Sequence, residues 1–590
     1  MNSDQHKRVD RRTFLKGSLI AGGAVGAGFA IRAAVDPASD SATTPAGSAS
    51  QRTRRKRSVR PNILVIIVDQ LRFPQWFSAA PGTLGLPPNL QRLREGGVSF
   101  ARHYTVSNDC TPSRAALLTG LYTHQTGCMI TGGSTLNPGF PTWGTMLRER
   151  GYHTRWYGKW HLTHRDHHWT AFAGERALER YGFGGGTFPS PDGAPGQGWR
   201  VDPHIAEQFA AWFAQEGHGE PWCTTVSFVN PHDIAWWYAF SDRVPAELTA
   251  PRALHRLPPN FETPEQMRAR SKPRLQHSLQ ATAAASFGPV PFSGPEAAQR
   301  WLAFMDLYVK LQLEADRHVG HVMRTLESRP EVAANTVVVF TSDHGEYGAS
   351  HGLRGKGAGA YEEAIRVPLI VKDPRGVLVS EPQLERAQLS SSVDVTPLLL
   401  TIATGSSDWR GEPRYAHIAG RLDLASILAD PAAPGREFVL HATDEVVTEF
   451  AVEPYAADAP LHVMALRTSA AKYVTYSHWH PGATRALAGG EEAELYDYRT
   501  HSGRLELHNS AGQSPLEDGL HARLARAVHE ELRAPLDWPL SLAHRGGFAD
   551  YYSTAKRNAT AAAARRKLHE EKQVGPIERL RAPRAGQRPP

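Results

Sequence analysis

From Ile63 to Val68 the chain runs through six consecutive apolar residues, mostly β-branched, and the run stops at Asp69-Gln70. An apolar run without polar alternation is the pattern of a strand covered on both faces. A second run, Thr336 to Thr341, ends in Ser342-Asp343-His344-Gly345. Thr225 to Val229, ahead of Asn230-Pro231-His232, and Val367 to Val371 are further strand candidates. Between them, Trp301 to Leu326 spaces Leu302, Met305, Leu307, Leu311, Leu313 and Val319 among charged residues, as a helix does. The alternation predicts an α/β fold with a large mixed, mostly parallel sheet sandwiched by helices. In such sheets ligands gather outside the carboxyl ends of the strands, so the acidic ends at Asp69 and Asp343 are expected to meet at one site.

Toward the carboxyl end the periods shorten. Val463 to Arg467, Lys472 to Tyr476 and Glu494 to Tyr498 read as short strands, and Leu516 to Leu532 as an amphipathic helix. This predicts a smaller antiparallel sheet-plus-helix subdomain over 441–540, after a catalytic domain over 61–440. Pro245 to Pro295, rich in Pro, Ala and Arg, reads as an insertion over the active face.

The first sixty residues carry no such pattern. Arg11-Arg12-Thr13-Phe14-Leu15-Lys16 precedes a Gly/Ala-rich apolar run from Gly17 to Ile31, the plan of a twin-arginine export signal over 1–34. The run is short and glycine-rich for a membrane span, which needs ~20 apolar residues; a retained amino-terminal anchor is the alternative. Residues 35–60 read as a disordered basic linker, and 541–590 as a basic, disordered tail. Export by the twin-arginine machinery, to the periplasm, cell surface or medium, is the expectation. The net charge of +7 on 590 residues is concentrated in these two segments. They read as solvated linker and tail rather than as adhesive or nucleic-acid-binding surfaces, and no nucleic-acid partner is expected. Three cysteines, Cys110, Cys128 and Cys223, are too few for a disulfide-framed fold, and whether Cys128 and Cys223 pair is left open.

One segment changes the picture. Cys110-Thr111-Pro112-Ser113-Arg114 is followed by a helical run that closes at Gly120. Proline just inside the start and glycine just past the end predict that Cys110 caps a helix amino terminus, where backbone donors and the dipole favour negative charge. Cys110, Pro112 and Arg114 match C-x-P-x-R, and the segment through Tyr122 resembles the signature of formylglycine-dependent, arylsulfatase-like sulfatases of the alkaline phosphatase superfamily. Further stations follow in family order: Asp69-Gln70, Gly158-Lys159-Trp160-His161, Pro231-His232, Asp343-His344-Gly345-Glu346, Lys356 ahead of Tyr361-Glu362-Glu363, Arg366-Val367-Pro368 and Glu494-Leu495-Tyr496-Asp497. The resemblance spans Asn62 to about Pro535.

The resemblance implies that a formylglycine-generating maturase oxidises Cys110 to an aldehyde. Its hydrate attacks the sulfur of a small-molecule or carbohydrate sulfate ester, and the second hydroxyl then drives release of sulfate. It implies a divalent ion held by Asp69, Gln70, the modified Cys110, Asp343 and His344, with Ca²⁺ first and Mg²⁺ or another divalent ion behind it, as suits oxygen-rich ligation. Gln70 stands where many sulfatases carry a second Asp, and His344 where many carry Asn, which lowers the ligand charge and admits a softer ion. By the same resemblance Arg114 holds the hydrate and its neighbours. Lys159 and His161 flank the hydrate, with His161 as base, and His232 and Lys356 contact the sulfate and the leaving oxygen.

His351 and Arg354 read as solvated loop residues, and of His161, His164, His167 and His168 all but His161 read as surface loop. Trp236, Trp237 and Tyr238 read either as an aromatic wall for an aryl ring, a sugar or an ammonium group, or as packing. Two rival readings remain: a phosphodiesterase or phosphonate monoester hydrolase of the same superfamily, and a non-catalytic exported binding protein on a sulfatase fold. Aryl sulfates are the default substrate, with sulfated carbohydrate and choline sulfate behind them.

Overall fold

Strand β1 (Asn62–Val68) lies inside the larger sheet, and its side chains divide between two cores. Ile63, Val65 and Ile67 pack with Trp143, Trp156 and Leu399 on one face; Leu64, Ile66 and Val68 pack with Phe209, Phe213 and Val319 on the other. None of the six is more than 1% exposed. At roughly 1.5–3 kcal/mol for each fully buried aliphatic side chain, both faces of the strand are anchored. An alternating strand would have left one face polar, so the unbroken apolar run is what a sheet covered on both sides demands.

The computed structural model describes residues 60–73, 87–163, 176–219, 221–239, 256–446, 454–480 and 484–572, together with positions 244, 248, 254 and 451. The twin-arginine segment, nearly all of the linker, His164, His167, His168 and part of 245–295 lie outside the described residues.

The larger sheet adds β2 (Val98–Tyr104), β3 (His153–Gly158), β4 (Gly184–Gly185), β5 (Trp222–Phe228), β6 (Thr336–Ser342), β7 (Leu369–Lys372) and β8 (Arg386–Ser391), in the order β4-β3-β5-β1-β6-β7-β2-β8. Every neighbouring pair is parallel except the two made by β7. This is the large, mixed, mostly parallel sheet expected from the sequence. The long helices Gln197–Glu216 and Ala297–Glu327 cover one face, and Trp143–Glu149 and Val395–Thr404 the other. Val68 pairs with both Phe228 and Ser342, and Gly158 with Ser227, so β3, β5, β1 and β6 end at one level. The residues that follow, Lys159, Asn230 to His232, Asp69 and Asp343, therefore emerge along one edge.

The smaller sheet is antiparallel, in the order β12-β11-β10-β9, from β9 (Phe438–Thr443), β10 (His462–Thr468), β11 (Ala471–Ser477) and β12 (Glu492–Asp497). Ala442 N–H donates to the Val106 carbonyl at 2.9 Å, joining β9 to the loop ahead of Cys110. The helix Glu517–Ala527 packs Leu520 and Leu524 against this sheet. Cys128 and Cys223 are free thiols, buried in the core on one face of the large sheet.

Two expectations fail in local detail. The segment from 541 is not a structureless tail: Leu540–Lys572 is one helix, with Ala543, Tyr551 and Thr554 buried. Phe548, Tyr551, Tyr552 and Ala555 pack against the core below the small sheet, and the helix comes close at Gly547, where a Cβ would fall 2.0 Å from the Thr126 carbonyl oxygen. His351 and Arg354 are not solvated loop residues either. The His351 side chain is fully buried with Nδ1 2.6 Å from Glu262 Oε2, and the partly buried Arg354 donates to the carbonyls of Trp237 (3.2 Å) and Gly288 (2.8 Å). Among the described residues no helix is long and apolar enough to cross a membrane.

Candidate active site

Cys110 is the first residue of the helix Cys110–Thr119, with Asp109 in the capping position the sequence had given to Cys110. Gly120 closes the helix at φ 70°, a left-handed turn that needs no Cβ. The Cys110 side chain is fully buried at the level where the four parallel strands end. Around its Sγ stand His344 Nε2 at 3.0 Å, Lys356 Nζ at 2.9 Å, Lys159 Nζ at 3.7 Å and Asp69 Oδ1 at 3.8 Å. Strand ends separated by hundreds of residues thus supply one ring of charged and polar groups about one sulfur.

Arg114, one turn further along the helix, ties this ring to the sheet. Its guanidinium lies 3.2 Å from Asp69 Oδ2 and 2.9 Å from Asp343 Oδ2, and donates to the Lys159 carbonyl (2.9 Å) and Ser227 Oγ (3.0 Å). All three charged side chains are fully buried, so removing any one would strand an uncompensated charge. Lys159 forms a second ion pair with Asp69. Burial alone would raise the Asp69 carboxyl, but the cations Lys159, Arg114 and Lys356 together hold it well below the usual carboxylate range.

The thiol responds in the opposite sense. Burial, reinforced by Asp69, pushes Cys110 up to about 11 against the pull of Lys159 and Lys356. An unmodified Cys110 is a protonated thiol at neutral pH, so these surroundings do not make a thiolate nucleophile. His232 is neutral as well: burial, with Lys159 and Lys356 nearby, holds it well below the usual imidazole value. Its Nδ1 has no hydrogen-bond partner among the described residues, and Gly193 packs against its ring so closely that a Cβ there would lie 2.5 Å from Cε1.

The donor set fits a divalent cation. Asp69, Cys110, Asp343 and His344 each offer a ligand atom within 4.8 Å of the others. His344 Nδ1 lies 3.0 Å from the Gly345 carbonyl, which places the proton on Nδ1 and leaves the Nε2 lone pair facing the carboxylates, 3.5 Å from Asp69 and 3.7 Å from Asp343. Gln70 turns its Oε1 the same way, toward Lys356 Nζ at 2.8 Å. The structure therefore brings Cys110, Arg114, Asp69, Gln70, Asp343, His344, Lys159 and Lys356 into one cluster. His161 is buried beside it at the end of the Lys159 turn, and its carbonyl accepts from Thr111 Oγ1 at 3.0 Å.

A cavity of about 90 Å³ opens above Lys356 and His232. Trp236, Trp237, Leu279, Ala283 and Phe287 wall one side, with Glu445 and Tyr455 from the region of the small sheet, and Asp109 and Arg354 among the polar lining. The helix Arg274–Phe287 brings part of the Pro245 to Pro295 stretch to this face. Trp236 and Trp237 line the cavity and are also packed, Trp236 edge-on to Phe287 at 5.7 Å with its indole donating to the Gly193 carbonyl at 2.7 Å. Tyr238 packs behind Trp237 and accepts from Arg300 at 2.7 Å. Sequence reasoning missed Ser227, Glu445, Tyr455 and Phe287, which belong to no motif.

The sulfatase family model matches residues 61–406. That match covers more than half of the chain and every metal-competent side chain described above. The chain belongs to the sulfatase family. As a sulfatase it is a sulfuric ester hydrolase, and its curated relatives are distant. It is 29% identical over 382 residues to the uncharacterized sulfatase YidJ of Escherichia coli (strain K12), covering 58% of this chain and 68% of that one. It is 26% identical over 404 residues to the N-acetylglucosamine-6-O-sulfatase of Bacteroides thetaiotaomicron, covering 59% and 69%. Among solved structures, the phosphonate monoester hydrolase of Silicibacter pomeroyi superposes with a TM-score of 0.59 at 22% identity, covering 82% of this sulfatase and 97% of that chain. At that identity the likeness speaks to the fold alone.

Proposed function

We propose that this sulfatase hydrolyses sulfate monoesters of compact, ring-bearing alcohols, with aryl sulfates as the default class, after a maturase has oxidised Cys110 to formylglycine. The observation that carries the reading is the placement of Cys110. Its fully buried side chain sits inside a ring of Asp69, His344, Lys159 and Lys356 at the head of a helix. Two lysines, an imidazole and a carboxylate around one side chain suit a site that holds a hydrated aldehyde and an anionic ester.

The roles follow from position. Asp69, Gln70, Asp343 and His344, with an oxygen on the modified Cys110 side chain, would hold Ca²⁺ or another divalent ion. Such an ion supplies Lewis-acid polarisation of the ester's oxygens. Arg114 keeps Asp69 and Asp343 fixed in place and helps hold Asp69 ionised. Lys159 and Lys356 supply positive charge on two sides of the nucleophile. Neutral His232, at the cavity floor with an unpartnered Nδ1, contacts the bridging oxygen, and His161 takes a proton from the hydrate. The mostly apolar cavity receives the alcohol, with Trp236 and Phe287 against its ring. The name of the Bacteroides relative makes a sulfated amino sugar the first competitor. Export of the folded, matured enzyme by the twin-arginine route belongs to the same proposal.

The test is a parallel assay of nitrophenyl sulfate, bis-nitrophenyl phosphate and nitrophenyl phenylphosphonate with matured, Ca²⁺-loaded protein. Sulfate monoester turnover should dominate. Turnover confined to the phosphorus esters would transfer the chain to the phosphonate hydrolase reading.

A further inference from the structure

Gln70 is the weak member of the metal-competent cluster, because it is neutral and because the two ends of an amide have nearly the same shape. Nothing in the side chain itself decides whether its oxygen or its NH₂ faces the cluster. Its backbone is held firmly. At φ 65° it occupies the left-handed region that a non-glycine residue adopts only when its surroundings over-determine it. Its N–H donates to Asp343 Oδ1 at 3.1 Å, and its carbonyl accepts from the Tyr308 hydroxyl at 2.7 Å.

The amide itself is held from both ends, by Glu346 at its NH₂ and by Lys356 Nζ, which donates to its oxygen at 2.8 Å. Gln70 Nε2 donates to Glu346 Oε2, which leaves Gln70 Oε1 turned toward Lys356 and the Cys110 side of the cluster. The other Glu346 oxygen, Oε1, accepts from the backbone N–H of Gly348 (3.1 Å) and Gly355 (2.6 Å). Every partner of this fully buried carboxylate is thus an N–H donor. Position 346 must accept on both oxygens, and a carboxylate does so where an amide cannot.

We propose that Glu346 is a positioning residue for the metal site. It locks the Gln70 amide with its oxygen facing the cation, and it supplies just outside the ligand shell the negative charge that Gln70 does not carry. The proposal rests on the metal-binding reading of the cluster. It makes Gln70 and Glu346 one unit, in which the charge normally borne by a ligand has moved one residue outward.

The unit can be inverted, which gives the test. In Glu346→Gln the new amide must oppose an NH₂ either to the glycine N–H groups or to Gln70, and the relief is to flip Gln70 so that its NH₂ faces the cation. In Gln70→Glu two buried carboxylates face each other. In the double variant Gln70→Glu/Glu346→Gln, the amide oxygen at 346 accepts from the glycines, its NH₂ donates to the carboxylate at 70, and the other carboxylate oxygen faces the cation. Ca²⁺ affinity of the full-length protein, measured by calorimetry, should fall about 10- to 100-fold in each single variant, the usual cost of losing a residue that orients a ligand. It should return close to the wild-type value in the double. Wild-type affinity in Glu346→Gln, or a double variant no tighter than Gln70→Glu, would overturn the proposal. If Glu346→Gln fails to fold by circular dichroism, the comparison of Gln70→Glu with the double decides it. Turnover of nitrophenyl sulfate by the wild type is scored separately, so failure of the sulfatase chemistry and failure of this inference are distinguishable.

Discussion

Replacing Lys356 by Met removes a positive charge from the floor of the cavity while keeping the side chain's length. Lys356 Nζ lies 2.9 Å from Cys110 Sγ and 2.8 Å from Gln70 Oε1, so it stands between the nucleophile and the space where the leaving alcohol sits. A full unit charge at that distance, with an effective dielectric constant of ~20, corresponds to about 6 kcal/mol. A leaving oxygen that carries half a charge in the transition state would gain about half of that, roughly 3 kcal/mol, or on the order of 10²-fold in kcat. This falls in the range seen when one donor to a developing oxyanion is removed. The assay is a series of substituted phenyl sulfates that spans the acidity of the phenol. Lys356→Met should lose most with the least acidic phenols, because more charge must then be stabilised on the departing oxygen, and least with nitrophenol. A loss below about tenfold with the poorest leaving group, or an equal loss across the series, would refute the assignment of Lys356 to that oxygen.

Three further outcomes follow from the structure. His103 and His441 are buried and held neutral by burial, each at about 4, so unfolding releases rings that take up a proton at the ordinary histidine value. The unfolded state then binds more protons as pH falls through about 6.5, and each ring should cost about 2 kcal/mol of stability between pH 7 and pH 5; a urea midpoint unchanged over that interval contradicts this. Gly547→Val should lift the helix Leu540–Lys572 away from Thr126, at about 1–3 kcal/mol of overpacking. Limited proteolysis should then cleave ahead of the helix in the variant and spare the wild type, and equal resistance would deny the close contact. Trp236→Ala should lower kcat/KM for phenyl sulfate about tenfold and leave a small alkyl sulfate nearly unchanged, since only a ring meets that wall. A uniform loss would return Trp236 to packing alone.

Much of this site was legible because its parts sit at abrupt boundaries. Ile63 to Val68 and Thr336 to Thr341 are apolar on both faces, so the polar residues after them mark strand ends, and parallel strands deliver their ends to one edge. Cys110, Pro112 and Arg114 were legible because a helix start with proline inside it has a strict local grammar. The edge region was not: β2 (Val98–Tyr104) and β8 (Arg386–Ser391) mix Ser99, Arg102, His103 and Gln388 among apolar residues, and their pairing depends on distant partners. The helix after Leu540 was missed because its apolar face is short, Phe548 to Ala555, and is followed by an Ala- and Arg-rich run that looks like tail composition. The cavity wall escaped for a related reason. Phe287 comes from the insertion and Glu445 and Tyr455 from the connection between β9 and β10, and what joins them is the fold of the insertion and the small sheet, which no local pattern encodes. His351 and Arg354 were misread because a charged residue in a glycine-rich loop looks solvated until its partners, Glu262 for one and two backbone carbonyls for the other, are known.

Every role assigned to the site depends on the proposal that Cys110, once oxidised, cleaves sulfate esters inside this ring of charges. It is tested most directly by peptide mass analysis of the protein isolated from its native host, paired with sulfate release from nitrophenyl sulfate by the same sample and by Cys110→Ala. An aldehyde is expected at position 110, with turnover in proportion to the fraction so modified and none in Cys110→Ala. Undiminished turnover by a sample whose Cys110 is entirely a thiol, or by Cys110→Ala, would contradict it.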